Sequence, residues 1–177
     1  MPFPSDSKPF QKAWIVQDIE SAARSWSEIL NIGPFYVAEY GPSIFECIQY
    51  RGGPGTLRMK TAITYAGDQQ IELVEPIGDS PSAYSDTIPP GQTGFHHLCF
   101  WSDDLDGDLE YYRKLGFPAA NEGKMAGGGP RFAYVDTSPV LQCMVELLER
   151  SPGIEKLFDG WRLSCMDWDG KTPIVHL

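Results

Sequence analysis

The sequence contains an internal repeat, and this repeat constrains the fold more than any other feature. Residues 11–20 and residues 97–106 each read as a polar residue, an apolar run, then Asp, a branched aliphatic residue and an acid. Residues 71–75 likewise match residues 145–149. Self-similarity of this kind indicates two copies of one supersecondary unit that bury a common core.

Each half of the repeat predicts a strand, a helix and three further strands. Apolar residues recur with helical spacing after Asp18 and after Asp104, so these two residues are predicted to be helix N-caps. Gly33 and Gly116 follow the apolar stretches and are predicted to end the two helices. The first half has a longer connection, around residues 41–55. The predicted fold class is α+β, with two tandem βαβββ modules, a mixed sheet of roughly eight strands and a short C-terminal helix and tail.

The length of 177 residues suits a single domain over residues 1–177. We predict a first module over residues 8–90, a second module over 93–150 and an extension over 151–177 that has no counterpart in the repeat. An apolar stretch from Ile154 to Leu163 predicts a short helix that packs over the domain. A lid or a subunit contact is the alternative interpretation of this extension.

The composition limits the partners of the chain. It has 14 Lys and Arg residues against 24 Asp and Glu residues, a net charge of −10 that repels phosphate backbones and anionic lipids. No apolar run approaches the roughly 20 residues of a membrane span, and no secretory signal pattern is visible. The four cysteines are scattered, as free thiols are in a reducing compartment. We therefore expect a cytoplasmic protein that binds a small molecule, and neither nucleic acid nor a membrane.

The repeat places polar side chains at equivalent positions of both halves. Gln11 and His97 begin the first strands, and Glu72 and Glu146 stand inside the apolar last strands. A desolvated carboxylate costs on the order of several kcal/mol unless it is paired or binds a metal. If a pseudo-twofold axis relates the halves, these side chains converge as a divalent-metal set. The alternative is that each Glu faces solvent on one side of the sheet.

Three neighbouring residues are predicted to lie outside this set. Glu75 and Glu149 also repeat, but their odd spacing from the inner carboxylates predicts the opposite face of the sheet. His96 precedes His97 and, on a regular strand, points the other way. We predict a hydrogen-bonded structural role for His96, with a place at the rim of the site as the alternative.

Four motifs follow one another in a characteristic order. They are Q-x-x-x-x-V-x-D-I at 11–19, I-E-L at 71–73, G-F-H-H-L-C-F at 94–100 and V-E-L at 145–147. This set covers roughly residues 10–150 and resembles the vicinal oxygen chelate superfamily. That superfamily includes glyoxalase I, methylmalonyl-CoA epimerase, extradiol dioxygenases and bleomycin-resistance proteins. The resemblance implies paired βαβββ modules in a cupped sheet, often in a dimer, so a homodimer is expected.

The resemblance also implies one divalent metal ion, held by Gln11, Glu72, His97 and Glu146. In metal-dependent members the ion binds substrate oxygens and stabilises an enolate, while a base moves the proton of the adjacent carbon. The candidates for this catalytic base are Glu146 and Glu72. The predicted function is an isomerase, epimerase or lyase for a small oxygen-chelating carbonyl compound, carboxylate or thioester. An oxygen-rich set with one His suits Zn, Ni, Co, Mn, Mg or Fe.

Two other functions stay open from the sequence. A metal-free binding or sequestering protein of the bleomycin-resistance kind shares the expected fold. An extradiol dioxygenase needs iron on two His and one carboxylate, and Gln11 stands where one of these His residues is required. Methylmalonyl-CoA epimerase-like members use a separate Glu from the third strand of the first half, where this chain has residues 58–60 and no Glu.

The hairpin register predicts two substrate-binding residues. If the turn centres on Gly67, Ala62 lies opposite Glu72 and Lys60 faces the cup. In the second half, Ala133 would lie opposite Glu146, and Arg131 would face inward. Two such basic groups could clamp a carboxylate, a phosphate or a thioester-linked carrier. The alternative is that each of them pairs with a neighbouring acid at the rim.

Overall fold

Two βαβββ modules form the centre of the fold in the computed structural model, which describes residues 8–177. The first module contains β1 (Gln11–Ile15), α1 (Ile19–Leu30), β2 (Phe35–Tyr40), β3 (Phe45–Tyr50), β4 (Gly53–Pro54), β5 (Met59–Ala66) and β6 (Gln69–Pro76). The short helix α2 (Ala83–Thr87) leads to the second module, which contains β7 (Gly94–Ser102), α3 (Leu105–Lys114), β8 (Ala119–Met125), β9 (Arg131–Val135), α4 (Ser138–Leu141) and β10 (Met144–Glu149). The extension forms α5 (Pro152–Met166) and β11 (Ile174–His176).

The two equivalent helices begin at the predicted N-caps. The Asp18 carboxylate accepts a hydrogen bond of 2.7 Å from the Ser21 amide, and the Asp104 carboxylate accepts one of 3.0 Å from the Gly107 amide. Each bond satisfies a free donor of the first helical turn. At the other end, Asn31 rather than the predicted Gly33 takes the left-handed conformation that ends α1.

The modules meet at the centre of one mixed sheet, where β1 pairs antiparallel with β7. On either side, β6 runs parallel to β1 and β10 runs parallel to β7. The first module therefore contributes the order β2-β5-β6-β1 and the second the order β7-β10-β9-β8. This arrangement confirms the predicted α+β fold and relates the two halves by a pseudo-twofold axis between β1 and β7.

Three strands extend this sheet beyond the predicted number of about eight, so that it has 11 strands. The long connection of the first module forms the hairpin β3–β4, and β3 pairs antiparallel with β8 of the second module. Strand β11 pairs parallel with β2 at the other edge. The hairpin lies where the repeat spacing predicted an additional connection.

The two faces of the sheet have different covers. Helix α1 packs Ile19 and Ala23 on one face, and α3 packs Leu105 and Tyr112 on the same face. The opposite face, which carries Glu72 and Glu146 and is called the cup here, is partly covered by α5. This helix is longer than predicted.

The predicted boundaries of the first module (residues 8–90), the second module (93–150) and the extension (151–177) stay predictions. Within residues 8–177, no helix has the length and the apolar character needed to cross a membrane.

Candidate metal centre and substrate cavity

Each of the four central strands contributes one of the predicted ligands to the cup. Gln11 begins β1, Glu72 lies in the middle of β6, His97 lies in β7 and Glu146 lies in β10. The Nε2 atom of His97 lies 2.9 Å from a Glu146 oxygen, 3.4 Å from a Glu72 oxygen and 3.3 Å from Oε1 of Gln11. The structure thus brings together all four residues predicted as metal ligands. Their metal binding itself stays a prediction.

Burial and the mutual charges of the side chains together determine the protonation of this cluster. Glu72 and Glu146 are each 8 % exposed, and His97 is fully buried. Burial raises the pKa of Glu72, although the hydrogen bond and the charge of His97 oppose this effect. For His97, burial acts to lower the pKa, but the carboxylates of Glu146 and Glu72 outweigh it and raise the pKa to about 9. Two buried carboxylates thus hold a proton on His97 in the absence of another cation.

A β-bulge brings His96 to the same side of the sheet as His97. Ala13 pairs with His97 and Trp14 pairs with Phe95, so His96 is the extra residue on β7. The two His rings lie 5.1 Å apart, with 2.8 Å between their Nδ1 atoms. The prediction that His96 points away from His97 was therefore wrong, because it assumed a regular strand.

The surroundings of His96 determine which nitrogen of His97 faces the cluster. The Ala83 carbonyl can only accept, so Nε2 of His96 donates the hydrogen bond of 3.0 Å between them. Burial lowers the pKa of His96 to about 3, so the ring is neutral and its Nδ1 atom is an acceptor. The Nδ1–H group of His97 then donates to it, which directs the Nε2 lone pair of neutral His97 towards the carboxylates.

A second chain of hydrogen bonds orients Gln11. Its Nε2 atom donates to Oε1 of Gln70 at 2.6 Å, and Nε2 of Gln70 donates to the Tyr65 hydroxyl at 2.6 Å. Because the amide nitrogen of Gln11 is engaged in this way, its oxygen is the atom that faces His97. Both chains therefore present an electron pair to the same point in the cup.

The donor set fits a divalent metal ion. It comprises an amide oxygen, an imidazole nitrogen and two carboxylates, whose two negative charges match a doubly charged cation. Neighbouring ligands around an ion with bonds of about 2.1 Å lie about 3.0–3.4 Å apart. The distances from Nε2 of His97 to the other donors, 2.9 to 3.4 Å, agree with this spacing. Gln11, Glu72, His97 and Glu146 would therefore hold the ion.

A cavity of about 170 Å³ adjoins the donor set. Its polar and acidic lining comes from Gln11, Thr61, Glu72 and Glu146. The remaining lining residues are aromatic or apolar: Tyr40, Phe45, Met59, Ile63, Tyr84, Met125, Pro130, Phe132, Tyr134, Leu148, Ile154, Leu157, Phe158 and Trp161. Helix α5 supplies the last four of these, so the extension forms one wall of the cavity.

Lys60 and Arg131 lie outside this cavity, contrary to the predicted register. Ile63, not Ala62, pairs with Glu72, because the turn consists of Gly67 and Asp68 with Ala66 opposite Gln69. Tyr134, not Ala133, pairs with Glu146. A shift of one residue moves a side chain to the other face of a sheet. Both basic residues therefore point away from the cup.

The two basic residues instead form ion pairs on the helical face of the sheet. Lys60 Nζ lies 3.4 Å from the Glu75 carboxylate, which also accepts a hydrogen bond of 2.8 Å from the Ile19 amide at the start of α1. Arg131 lies 2.6 Å from Asp106 of α3. Both residues therefore pair with neighbouring acids, which is the alternative that the sequence left open. The structure offers no support for the predicted clamp.

The sequence patterns missed several residues of the site. Gln70 could have been found, since it lies two residues before Glu72 and therefore on the same face of β6. Phe132 and Tyr134 follow from the correct register of the second hairpin. The position of His96 depends on the bulge, and no pattern in the sequence indicates that bulge.

The paired βαβββ modules, with one donor on each central strand, define a protein of the vicinal oxygen chelate class. The family model described as the Glyoxalase/Bleomycin resistance protein/Dioxygenase superfamily matches residues 10–134. The chain therefore belongs to this superfamily, and the predicted resemblance is confirmed. No curated protein matched the sequence.

Solved structures share the fold at low sequence identity. A Streptomyces coelicolor methylmalonyl-CoA epimerase variant in complex with 2-nitronate-propionyl-CoA has a TM-score of 0.60 and 16% identity, over 83% of this chain and 99% of that chain. The Mycobacterium tuberculosis methylmalonyl-CoA epimerase has a TM-score of 0.54 and 16% identity, over 85% and 95%. A hypothetical protein from Bacillus halodurans has a TM-score of 0.56 and 18% identity, over 82% and 96%. These similarities establish the shared fold.

Proposed function

We propose that this chain is a metal-dependent isomerase, epimerase or lyase that moves a proton at the carbon next to a carbonyl group. Its substrate is a small molecule with two neighbouring oxygens. The observation that carries this proposal is the convergence of two buried carboxylates, an imidazole nitrogen and an amide oxygen beside one cavity. Membership of the superfamily is consistent with this function.

Two residues of the cluster are suited to hold a metal ion, and the other two can also accept a proton. Gln11 is a neutral donor with a fixed orientation, and His97 becomes one when it loses its proton, which suits both residues to hold an ion. A divalent ion bound there would supply Lewis-acid polarisation of the substrate carbonyl. Glu72 and Glu146 are the carboxylates that line the cavity within the described chain, so one of them accepts the proton.

The cavity lining also indicates which residue can act as the catalytic base. Met59 and Thr61 of β5 face the cavity, and neither can accept a proton from carbon. A separate Glu on this strand, as in methylmalonyl-CoA epimerase-like members, is therefore missing here. This agrees with a ligand carboxylate acting as the base, in the manner of glyoxalase I-like members.

One observation favours a metal-free binding protein as the second candidate function. With a proton on His97, the four side chains satisfy one another, and no buried side-chain polar atom within residues 8–177 lacks a hydrogen-bond partner. A binding protein would use the same cavity without chemistry. The iron dioxygenase is less well supported, because Gln11 occupies a position that would need a second His.

The metal content of untagged protein tests the proposal. We expect about one divalent ion per chain by elemental mass spectrometry, and its loss in the Glu72→Ala and Glu146→Ala variants. Glu75→Ala is the matched control, since Glu75 lies on the same strand as Glu72 but contacts α1 on the other face. This control is expected to retain the ion.

A wild-type protein that takes up no ion from Zn, Ni, Co, Mn, Mg or Fe would overturn the proposal in favour of the binding protein. The cytoplasmic location and the homodimer stay predictions. The molecular mass of the metal-loaded protein in solution checks the homodimer.

A further inference from the structure

The charged residues that line the cavity are all acidic. Glu72 and Glu146 are the charged residues that line the cavity, and no Lys or Arg of the described chain, residues 8–177, is among the lining residues. A divalent ion would neutralise the two carboxylates. An additional carboxylate or phosphate on a ligand would then lie in an apolar pocket without a partner, which is strongly unfavourable.

Two basic side chains near the cavity bond to acids, and Lys156 of α5 is exposed and is not a lining residue. Arg150, just before α5, lies 2.9 Å from Asp103 and 2.7 Å from Glu155. Lys124, next to the lining residue Met125, lies 2.9 Å from Glu46. These ion pairs reduce the attraction that either residue could exert on an anionic substrate.

The walls favour a flat, uncharged group. Aromatic rings come from both modules and from α5: Tyr40, Phe45, Tyr84, Phe132, Tyr134, Phe158 and Trp161. Such rings bind another ring through offset or edge contacts. The volume of about 170 Å³ is close to that of an engineered apolar cavity of about 150 Å³ that binds benzene. The cavity opens to solvent, so this volume is enough for one ring beside the donor set and does not limit the part of a ligand that lies outside.

We infer that the substrate is a neutral molecule in which two neighbouring oxygens are attached to one aromatic ring or a branched apolar group of similar size. A ligand that has to place a carboxylate or a phosphate against this lining is disfavoured for the same reason. This inference rests on the proposed function, because the oxygens are assigned to the metal. The apolar group is assigned from the cavity alone.

Binding to the metal-loaded protein by isothermal titration calorimetry tests the inference with four probes. These are 2-hydroxyacetophenone, its 4-carboxy derivative, hydroxyacetone and methylmalonyl-CoA. We expect 2-hydroxyacetophenone to bind at least about tenfold more tightly than each of the others, because it alone is neutral and carries a ring. Tighter binding of either anionic probe, or binding of none of the four, would overturn the inference.

A charge placed in the wall gives a second, independent readout. Leu157 of α5 lines the cavity and is 45 % exposed, so Leu157→Arg introduces a cation there at little risk to the fold. This variant is expected to improve binding of the 4-carboxy derivative relative to the neutral probe by about tenfold. Leu163→Arg is the matched control, since Leu163 lies on the same helix, is 55 % exposed and is not a lining residue. Equal behaviour of both variants would contradict the assignment of this wall.

Failure of this inference is distinguishable from failure of the proposed function. Uptake of the ion with a preference for anionic probes overturns the substrate class and leaves the metal-dependent function intact. A protein that takes up no ion but binds 2-hydroxyacetophenone overturns the function and supports the apolar site.

Discussion

The Nδ1 atoms of His96 and His97 lie 2.8 Å apart, although the two residues are consecutive on one strand. The bulge between β1 and β7 makes this contact possible. It links the Ala83 carbonyl, through two rings, to the nitrogen that faces Glu72 and Glu146.

Replacement of His96 should weaken metal binding without removing a ligand. His96→Phe leaves the Nδ1–H group of His97 without its acceptor, and we expect a loss of about 10–100-fold in metal affinity. His96→Asn places an oxygen near the former Nδ1 atom and is expected to lose less. The measurement is a metal titration against a competing chelator, with thermal unfolding as a check on the fold. Equal affinities of His96→Phe and wild type would contradict this role.

Gln70 should matter to the same site through Gln11. Gln70→Leu removes the acceptor for the Gln11 amide, so the Gln11 oxygen is no longer held towards His97. We expect metal affinity to fall by about tenfold, in the range found for supporting residues. Tyr65→Phe keeps the bond between Gln11 and Gln70 and serves as the control with a smaller effect. The same chelator competition measures both variants, and identical losses in the two would argue against orientation by Gln70.

The metal-free protein should lose stability as the pH rises above neutrality. The pKa of His97 is raised from 6.5 to about 9 in the folded protein, so the folded state binds this proton more tightly than the unfolded state. The stabilisation is complete below pH 6.5 and disappears as the pH passes through about 9. We expect the melting temperature to fall by roughly 5–10 °C across this interval. A His97→Gln variant should lack the decrease attributable to this group.

Removal of the two basic residues on the helical face should leave the cavity unchanged. Lys60→Gln and Arg131→Gln each break a partly exposed ion pair, which is worth about 0–1 kcal/mol. We expect unchanged metal content and unchanged affinity for 2-hydroxyacetophenone, measured by calorimetry. A loss of ligand affinity above about fivefold in either variant would restore the clamp predicted from the sequence.

The repeat was sufficient to predict the architecture and the cluster, because equivalent positions in two related modules meet across the axis between them. It placed Gln11, Glu72, His97 and Glu146 together without any knowledge of the intervening loops. The faces of β6 and β10 follow from the period of two along each strand, which is a local property.

Predictions that depended on turns and irregularities were wrong for physical reasons. The first hairpin turns over two residues rather than around Gly67 alone, and this difference reversed the face of Lys60. A single extra residue on β7 reversed the face of His96. The role of α5 as a cavity wall depends on long-range packing, such as that of Trp161 against Tyr36, which the pattern of one segment does not encode.

The hairpin β3–β4 makes the two sides of the pocket unequal. The positions of the four donors are related by the pseudo-twofold axis, but the walls beside them are not. The hairpin belongs to one module only and places Phe45 against Phe132 of the other, with ring centroids 5.9 Å apart. The described second module has no insertion equivalent to β3–β4, so this contact has no counterpart across the axis. The arrangement of the donors therefore follows the repeat, whereas part of the asymmetry of the pocket comes from the insertion.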